Sequence, residues 1–489
     1  MIDDHAETGD IEAALAAIGE GLDRYLTFEH SDAYAARDRW LTHLQQPLPV
    51  AGEGLQAVID DLNHWVIPHG SPVPRPGFTS YITTGATTAS LLATVAANIA
   101  SPQRYLITSF NYLEELSLEW LAEMHQIGHL QGLYSSGGSV ANLIALGGAR
   151  QSAFEAVGHD PAAEGVNRAC AIYASSECHH TIQRSAGVLG LGRRCVRSIP
   201  CNAVGQMEVE ALQAAIALDR QNGVLPVAIV ANAGTTNTGA IDPILAMGEI
   251  ARQENIWFHV DGAYGLPGIL DERLQPRYAG LKLADSVITD PHKWLGASVG
   301  IAATFVRDRN ILMRAFTQEP ADYLEGSIDQ SSEPQASLEH SLDDFGIPYF
   351  EYGVELSAPC RGVVVWAMLK EIGVEGMRER IVRHNDMARH VAERAREHEN
   401  LELLLEPELS ICCFRYRTDR VSDLDRLNQR LHRRLVRGNV HMPSTTRVAG
   451  KLAIRPCFVG ARTTLREADG LVDAVLELGR ELSEEMAAD

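Results

Sequence analysis

The sequence lacks paired cysteine motifs, long uncharged apolar runs and any surplus of positive charge. Its eight cysteines are scattered over 489 residues and form no C-x-x-C pair. Such spacing is typical of reduced thiols and argues against both a disulfide framework and a structural zinc site. The first residues, Met1-Ile-Asp-Asp-His-Ala-Glu7, lack the basic and apolar regions of a signal peptide, so we expect a cytoplasmic protein.

Negative charge dominates the composition. The chain has 64 acidic residues against 42 basic residues, which gives a formal net charge of −22. A surplus of this sign argues against nucleic acid and anionic membranes as partners. No apolar stretch approaches the length of a membrane span, so we also expect no membrane-embedded part.

The pattern of residues divides the chain into three parts, because 489 residues exceed one ordinary core. Residues 1–75 have helical apolar spacing and then several prolines. We expect this N-terminal segment to pack on a partner subunit. Residues 76–358 alternate helix and strand patterns and include a polar, lid-like loop at about 317–348. Residues 359–489 have the mixed pattern of a small α+β domain, with strands predicted at 409–416 and 451–455 and a helix predicted at 423–437.

Four short apolar runs bounded by turns predict strands in the large domain, at 169–174, 226–231, 256–260 and 286–289. Helical patterns separate the runs, for example at 115–126 and 140–157. Together they predict an α/β fold with a mostly parallel sheet that is buried on both faces. Ligands bind such sheets at the carboxyl ends of the strands.

Two residues that follow predicted strands point to one cofactor. Asp261 ends the run His259-Val-Asp261, and Lys293 follows the run that ends at Thr289. Pyridoxal phosphate (PLP) requires a lysine for its Schiff base and an aspartate that keeps its pyridine nitrogen protonated. The neighbours Asp290 and His292 are expected at the same cofactor. Either Asp261 or Lys293 alone would be a surface charge or a strand cap.

Other turns offer groups for the rest of the cofactor. Gly138 and Ser139 open a helix after a Ser/Gly turn, and a helix N-terminus favours a phosphate. Taken alone, such a turn can also simply start a helix without binding a ligand. A histidine in Cys178-His-His180 could stack on the ring, and spacing alone does not separate His179 from His180. Thr236 could bond the ring hydroxyl or stabilise its turn, and Ala263 could lie under the ring.

These residues resemble the group II PLP-dependent decarboxylases, which include the aromatic L-amino acid, glutamate and diaminobutyrate decarboxylases. The resemblance is carried by Asp-Pro-His-Lys-Trp at 290–294, His-Val-Asp-Gly-Ala-Tyr at 259–264 and Ser-Gly-Gly-Ser at 136–139. It implies a fold-type I, aspartate aminotransferase-like subunit and a homodimer with the active site at the interface. The family's stacking histidine lies six residues after a strand tyrosine. Tyr173 is present, so the resemblance implies that His179 has this role.

The resemblance also implies a lid tyrosine that protonates the substrate carbon, and Pro320-Ala-Asp-Tyr-Leu324 offers Tyr323. The substrate pocket of the aromatic members corresponds to a segment with Phe78, Tyr81 and Ile82. Ile82 and the threonine after it replace a Phe-Pro pair of the family, so the pocket wall differs. Arg455 matches an arginine in a C-terminal strand that would anchor a carboxylate or brace the lid.

The sequence therefore predicts a PLP-dependent L-amino-acid α-decarboxylase, a carboxy-lyase that releases carbon dioxide and a primary amine. An aromatic substrate is slightly favoured by Phe78, Tyr81 and Tyr264. The alternatives are a decarboxylase of an aliphatic, acidic or diamino acid, or another PLP reaction. The other reactions are carbon–carbon cleavage, oxidative decarboxylation to an aldehyde, and transamination.

Overall fold

A computed structural model describes residues 11–29, 33–104, 108–317 and 346–488. The predicted lid at about 317–348 falls almost entirely between these ranges, and Tyr323 lies outside the described residues. Within the described ranges, no helix is both long enough and apolar enough to cross a membrane.

The α-helices are α1 (Ile11–Leu26), α2 (Arg37–Leu44), α3 (Leu55–Asp61), α4 (Thr88–Ala100), α5 (Ser109–Met124), α6 (Gly138–Glu155), α7 (Thr181–Val188), α8 (Val209–Gln221), α9 (Ile244–Glu254), α10 (Asn310–Phe316), α11 (Gly362–Glu397), α12 (Leu424–Arg437) and α13 (Leu465–Ala488). The strands are β1 (Phe78–Thr79), β2 (Gln131–Ser135), β3 (Cys170–Ser175), β4 (Val196–Ile199), β5 (Leu225–Asn232), β6 (Trp257–Asp261), β7 (Ser286–Thr289), β8 (Ala302–Val306), β9 (Leu401–Leu405), β10 (Cys413–Tyr416), β11 (Met442–Val448) and β12 (Lys451–Arg455).

The larger sheet has seven strands in the order β2-β8-β7-β6-β5-β3-β4. Five of them run parallel, from β7 through β6, β5 and β3 to β4, and β8 runs antiparallel to both of its neighbours. The four predicted strands are confirmed as β3, β5, β6 and β7. Every residue of β3 and β7 is buried, as expected for a sheet with both faces covered.

The smaller sheet has the order β1-β11-β12-β10-β9. β1 belongs to this sheet although it lies more than 360 positions before its neighbour, since Phe78 pairs with Met442 and Thr79 with Pro443. The strand predicted at 409–416 is shorter, because its pairing with β9 becomes irregular at Cys413. Residue Ile411 makes only an isolated bridge, to Cys457. The helix predicted at 423–437 is confirmed as α12, and Asp423 is its N-cap.

Helix α11 connects the two sheets. Its first part, from Val363 to Ile381, packs in the main core, and its later part, from Met387 to Ala395, packs in the core of the smaller sheet. The helix is interrupted at Gly373, where φ is 66°. In this left-handed region glycine is favoured because a Cβ would clash with the backbone.

The predicted N-terminal helices are confirmed as α1 to α3. The apolar face of α1 remains partly open in the single chain, since Ile11 is 52% exposed and Leu15 is 46% exposed. Tyr25, at the other end of α1, is buried. The proline-rich stretch that follows has one short 3-10 turn, Ile67–His69, before β1 begins.

Candidate active site

A cavity of about 820 Å³ opens at the carboxyl ends of β3, β5, β6 and β7. It brings together side chains that are far apart in the sequence, above all Lys293, Asp261 and His179. Most of the other predicted residues also line it, namely Gly138, Ser139, Thr236, Ala263, Asp290, His292, Tyr81, Ile82 and Arg455. The cavity therefore joins the separate motifs into one site.

Asp261 is the last residue of β6 and is only 7% exposed. Its Oδ2 accepts a hydrogen bond from Nδ2 of Asn142 at 3.0 Å, and its Oδ1 accepts one from the backbone N–H of Ala263 at 3.1 Å. These two hydrogen bonds fix the orientation of the carboxylate. The carboxylate is therefore suited to pair with a protonated ring nitrogen.

Lys293 lies in the short turn Pro291–Leu295 that follows β7. Its φ of −93° and ψ of −108° are not helical, which separates it from the residues on either side. The amine Nζ lies 2.9 Å from Oδ2 of Asp290, whose side chain is buried. Nδ1 of His292 lies 2.6 Å from the carbonyl oxygen of Ile301 and holds the turn against the next strand.

The Ser/Gly turn forms the opposite wall. Helix α6 begins at Gly138, and the preceding Gly137 has φ of 150°. A Cβ on Gly138 would lie 2.6 Å from Oδ2 of Asp290, so only glycine fits between the turn and that carboxylate. The exposed N–H groups at the start of α6 and the hydroxyl of Ser139 suit a phosphate group.

Of the two adjacent histidines, His179 lines the cavity, whereas His180 is exposed and lies outside the cavity wall. Nδ1 of His179 lies 2.9 Å from Oγ1 of Thr181 and accepts the backbone N–H of Thr181 at 3.4 Å. Nε2 is therefore the nitrogen that carries the proton in the neutral ring. Burial lowers the pKa of His179, and the nearby Asp261 carboxylate opposes that shift.

The substrate end of the cavity differs from the expectation at one residue. Tyr81, with 67% of its surface exposed, and Ile82 line the cavity. Phe78 does not reach the wall, because it lies buried in β1, with its ring centroid 5.8 Å from that of Tyr81. Tyr264 lines the cavity but is almost fully buried, with its ring stacked on Trp294 at 5.2 Å.

Arg455 is held by four hydrogen bonds to protein oxygens. Its guanidinium donates to the carbonyl oxygens of Thr236, of Asn237 at 2.9 Å and of Ser80 at 2.8 Å, and to the hydroxyl of Ser444 at 3.2 Å. These contacts make Arg455 a brace between the Thr236 turn, Ser80 and Ser444, whereas the lid that it was expected to brace lies outside the described residues. The brace fixes the Thr236 turn, so Thr236 contributes its carbonyl to Arg455 while lining the cavity.

Some lining residues were not found from the sequence. Asn142 could have been found, since it lies four positions after Gly138 and so on the same face of α6 one turn later. Ser444 and Thr445 lie in β11, a strand that the sequence reasoning did not predict. Val299 lines the mouth of the cavity and is 78% exposed.

The residues present fit pyridoxal phosphate. The cavity offers an amine on Lys293, a hydrogen-bonded carboxylate on Asp261 and a glycine turn at a helix N-terminus. One further observation concerns Oδ1 of Asp290, which is buried and has no hydrogen-bond partner among the described residues. A buried polar atom in a cavity wall is suited to a ligand, because an unsatisfied group there is costly.

Comparison with known proteins agrees with this chemistry. The family model of the pyridoxal-dependent decarboxylase conserved domain matches residues 39–417. The aromatic-L-amino-acid decarboxylase of Bacillus atrophaeus is 29% identical over 451 residues, which cover 90% of this chain and 88% of that protein. The L-2,4-diaminobutyrate decarboxylase of Rhizobium meliloti (strain 1021) is 28% identical over 441 residues, covering 89% and 84%. The crystal structure of Oryza sativa TDC with PLP and tryptamine has a TM-score of 0.84 at 22% identity and covers 98% of both chains.

The structural similarity confirms the predicted fold-type I architecture. The family match confirms the predicted cofactor, pyridoxal phosphate, and the predicted enzyme class, a carboxy-lyase. These relatives are named for different amino acids, so the family match does not specify which amino acid this protein uses. The match spans well over half of the sequence, and the chain belongs to the pyridoxal-dependent decarboxylase family.

Proposed function

We propose that this protein is an L-amino-acid α-decarboxylase that converts its substrate to carbon dioxide and a primary amine, with an aromatic amino acid slightly favoured. The observation that carries the proposal is the meeting of Lys293, Asp261 and His179 in one cavity at the carboxyl ends of parallel strands. When bound there, pyridoxal phosphate supplies the ring that accepts the electrons of the broken Cα–carboxylate bond.

Each side chain that lines the cavity has a separate role in this proposal. Lys293 supplies the amine that binds the cofactor covalently, and Asp290, 2.9 Å from that amine, keeps it in place beforehand. Asp261 holds a proton on the ring nitrogen. Gly138 and Ser139 bind the phosphate at the start of α6, Thr236 and Ala263 lie beside the ring, and His292 fixes the lysine turn.

His179 orients the bond that breaks. Its Nε2 carries the proton because Nδ1 faces Thr181, so Nε2 can donate to the substrate carboxylate. Correct orientation of the reacting bond lowers the barrier to its cleavage. Tyr323, outside the described residues, then donates a proton to Cα. This last assignment rests on the resemblance of the lid motif to its family.

The cavity supports an aromatic or otherwise uncharged substrate side chain. Tyr81, Ile82 and Val299 give its mouth an apolar wall. The guanidinium of Arg455 already gives four of its five N–H groups to protein oxygens, which disfavours it as an anchor for an acidic side chain. Phe78 supports the wall from behind through its contact with Tyr81.

We also propose a homodimer that completes the site. Tyr81 and Val299 at the mouth of the cavity, and Leu92 and Ile99 on α4, are large apolar residues that are more than 60% exposed in the single chain. Apolar side chains at such density favour a protein interface. Light scattering of the purified protein would measure the mass of the assembly.

All eight cysteines are free thiols, which supports a reducing compartment such as the cytoplasm.

A substrate panel tests the reaction. The purified holoenzyme is incubated with each common L-amino acid, and carbon dioxide, amine, aldehyde and hydrogen peroxide are measured. Carbon dioxide and amine in equal amounts, with the fastest release from an aromatic amino acid, are expected. Aldehyde and peroxide would favour the oxidative reaction, and release from acidic or diamino acids alone would overturn the substrate class.

Lys293→Ala tests the cofactor assignment. The variant should lose both turnover and the visible absorbance band of the bound cofactor, because no other amine replaces Nζ. Lys370→Ala is the matched control, since Lys370 lies on α11 with its amine 4.9 Å from the ring centroid of Trp366 and outside the cavity wall. Full activity in Lys293→Ala would refute the proposal.

A further inference from the structure

A chain of buried hydrogen bonds runs behind Asp261 and away from the cavity. Asn142, which is 2% exposed, donates from Nδ2 to Asp261 and presents Oδ1 to Nε2 of His259 at 2.8 Å. His259 lies two residues before Asp261 on β6, so both side chains are on one face of the strand. Asn142 thus connects the carboxylate to a fully buried histidine.

The chain continues onto the neighbouring strand. β6 and β7 pair with His259 opposite Ser286, and Nδ1 of His259 lies 2.9 Å from Oγ of Ser286. The indole Nε1–H of Trp257 donates to the same hydroxyl at 2.8 Å. The full sequence of contacts is therefore Trp257, Ser286, His259, Asn142 and Asp261.

Only one direction of donation is consistent with all of these contacts. The carboxylate of Asp261 only accepts, so Oδ1 of Asn142 faces His259. Nδ1 of the neutral His259 ring then accepts from the hydroxyl of Ser286, whose oxygen accepts from the indole of Trp257. Nε2 of His259 then carries a proton and donates to Oδ1 of Asn142. The opposite amide orientation would point Oδ1 of Asn142 at the Asp261 carboxylate, where two acceptors would repel. Burial lowers the pKa of His259 to about 4, which keeps the ring in the neutral form that this arrangement needs.

Asn142 has a second contact, which reaches the other side of the cavity. Its Nδ2 lies 3.3 Å from Oγ1 of Thr181, and that hydroxyl lies 2.9 Å from Nδ1 of His179. The two hydrogens of one buried amide thus lead to Asp261 and, through Thr181, to His179. One side chain fixes both the carboxylate and the tautomer of the histidine.

We propose that Asn142, His259 and Ser286 are positioning residues that form a directed hydrogen-bond relay, which holds the carboxylate of Asp261 aimed at the cofactor. The inference rests on the proposed function, in which Asp261 faces the ring nitrogen. Every member of the relay donates toward the carboxylate, and hydrogen bonds in such a chain strengthen one another in a buried setting. The relay ends at an indole, which cannot accept the proton back.

The test measures cofactor binding by the apoenzyme in a double-mutant cycle. Pyridoxal phosphate is titrated into wild type, Asn142→Ala, Asp261→Asn and the double variant, and the dissociation constant is read from the visible absorbance band. Asn142→Ala should weaken binding roughly 10- to 100-fold, because it removes a hydrogen bond to a charged group. In the Asp261→Asn background the same change should cost less than about threefold, since the charge is gone.

The chain offers a matched control. Asn385 is fully buried and its Nδ2 donates to Oδ2 of Asp271 at 3.0 Å, the same type of contact at the same distance, but outside the cavity. Asn385→Ala should lower the thermal unfolding temperature and leave the dissociation constant of the cofactor unchanged. Ser286→Ala, which removes one hydroxyl, provides a milder break in the relay if Asn142→Ala does not fold, and it should weaken binding roughly threefold to tenfold.

The outcomes separate the relay from the proposed function. Equal losses from Asn142→Ala in both backgrounds would refute the relay and leave only a packing role. If neither Asn142→Ala nor Ser286→Ala changes the dissociation constant while Asp261→Asn does, the relay fails and the function of Asp261 stands. If Asp261→Asn binds the cofactor as wild type does, the proposed role of Asp261 itself is wrong.

Discussion

Among the glycines that line the cavity, Gly138 has the least room for a side chain. Its Cα faces the carboxylate of Asp290, and an added Cβ would lie 2.6 Å from Oδ2 and 3.0 Å from Oδ1. Asp290 is itself held by its contact with Lys293. A larger residue at 138 would therefore displace the carboxylate and the amine of Lys293 together.

Gly138→Ala should weaken binding of pyridoxal phosphate roughly 5- to 150-fold, because overpacking a tight buried contact costs on the order of 1–3 kcal/mol. Titration of the apoenzyme with the cofactor would measure this loss. Gly128→Ala is the control, since nothing lies within 4 Å of a Cβ at that exposed position. Unchanged affinity in Gly138→Ala would show that the turn adjusts and that Asp290 is not fixed.

At the same scale, the sequence revealed the residues that stand in local motifs and missed those that depend on the sheet. Lys293, Asp261 and His179 each follow a recognisable strand, so their meeting followed from the rule for parallel sheets. Ser286 gains its role only because β7 lies beside β6, and strand order cannot be read from a single sequence. Its partner His259 was visible in a motif, but its contacts were not.

At the scale of secondary-structure elements, Arg455 joins the end of β12 to two other segments. It holds the turn at Thr236 and Asn237 after β5 and the residue Ser80 after β1. β1 and β12 belong to the small sheet and β5 belongs to the large sheet, so Arg455 links the two sheets at the cavity. A planar group with five donors is suited to this task.

Arg455→Met should raise the substrate KM more than it lowers kcat, because the loss loosens the mouth of the cavity and leaves the lysine turn intact. Steady-state kinetics on the best substrate of the panel would measure both constants. Asp423→Ala is the control at this scale. It removes the side-chain cap of α12, which accepts the N–H of Arg426 at 2.9 Å, and should cost about 1 kcal/mol of stability without changing KM. Equal effects of the two variants on KM would contradict the brace.

The small sheet was harder to predict than the large one for a physical reason. Strands of the large sheet are buried on both faces and read as continuous apolar runs. β11, Met442–Val448, has only two fully buried residues and carries Ser444 and the two threonines, so no apolar run marks it. β1 is two residues long and exists only because β11 lies beside it.

At the scale of the whole molecule, two buried histidines contribute to the change of stability with pH. Burial lowers the pKa of His125 to about 4 and that of His384 to about 3. In the unfolded chain a histidine takes up a proton below about pH 6.5. Between pH 6.5 and 4 the unfolded chain thus binds more protons than the folded one. The contribution to stability is complete above pH 6.5 and is lost as the pH falls.

His125→Phe tests this dependence. At pH 5, about 1.5 pH units below the unfolded pKa, the variant should recover about 2 kcal/mol relative to its effect at pH 7.5, because phenylalanine takes up no proton. Denaturant unfolding at the two pH values would measure the difference. His64→Phe, at an exposed position, is the control for loss of a histidine. The same effect at both pH values would refute the role of His125.

The pairing of β1 with β11 also orders events while the protein is being made. Phe78 and Thr79 can pair in the small sheet only after Met442 and Pro443 have been synthesised. The N–H of Cys457 then donates to the carbonyl oxygen of Thr79. More than 360 residues must leave the ribosome before Tyr81 and Ile82 take their places. The cofactor end of the cavity, by contrast, is encoded before residue 300. In a nascent chain, the cavity wall that carries Asp261 and Lys293 can therefore form before the wall that carries Tyr81 and Ile82.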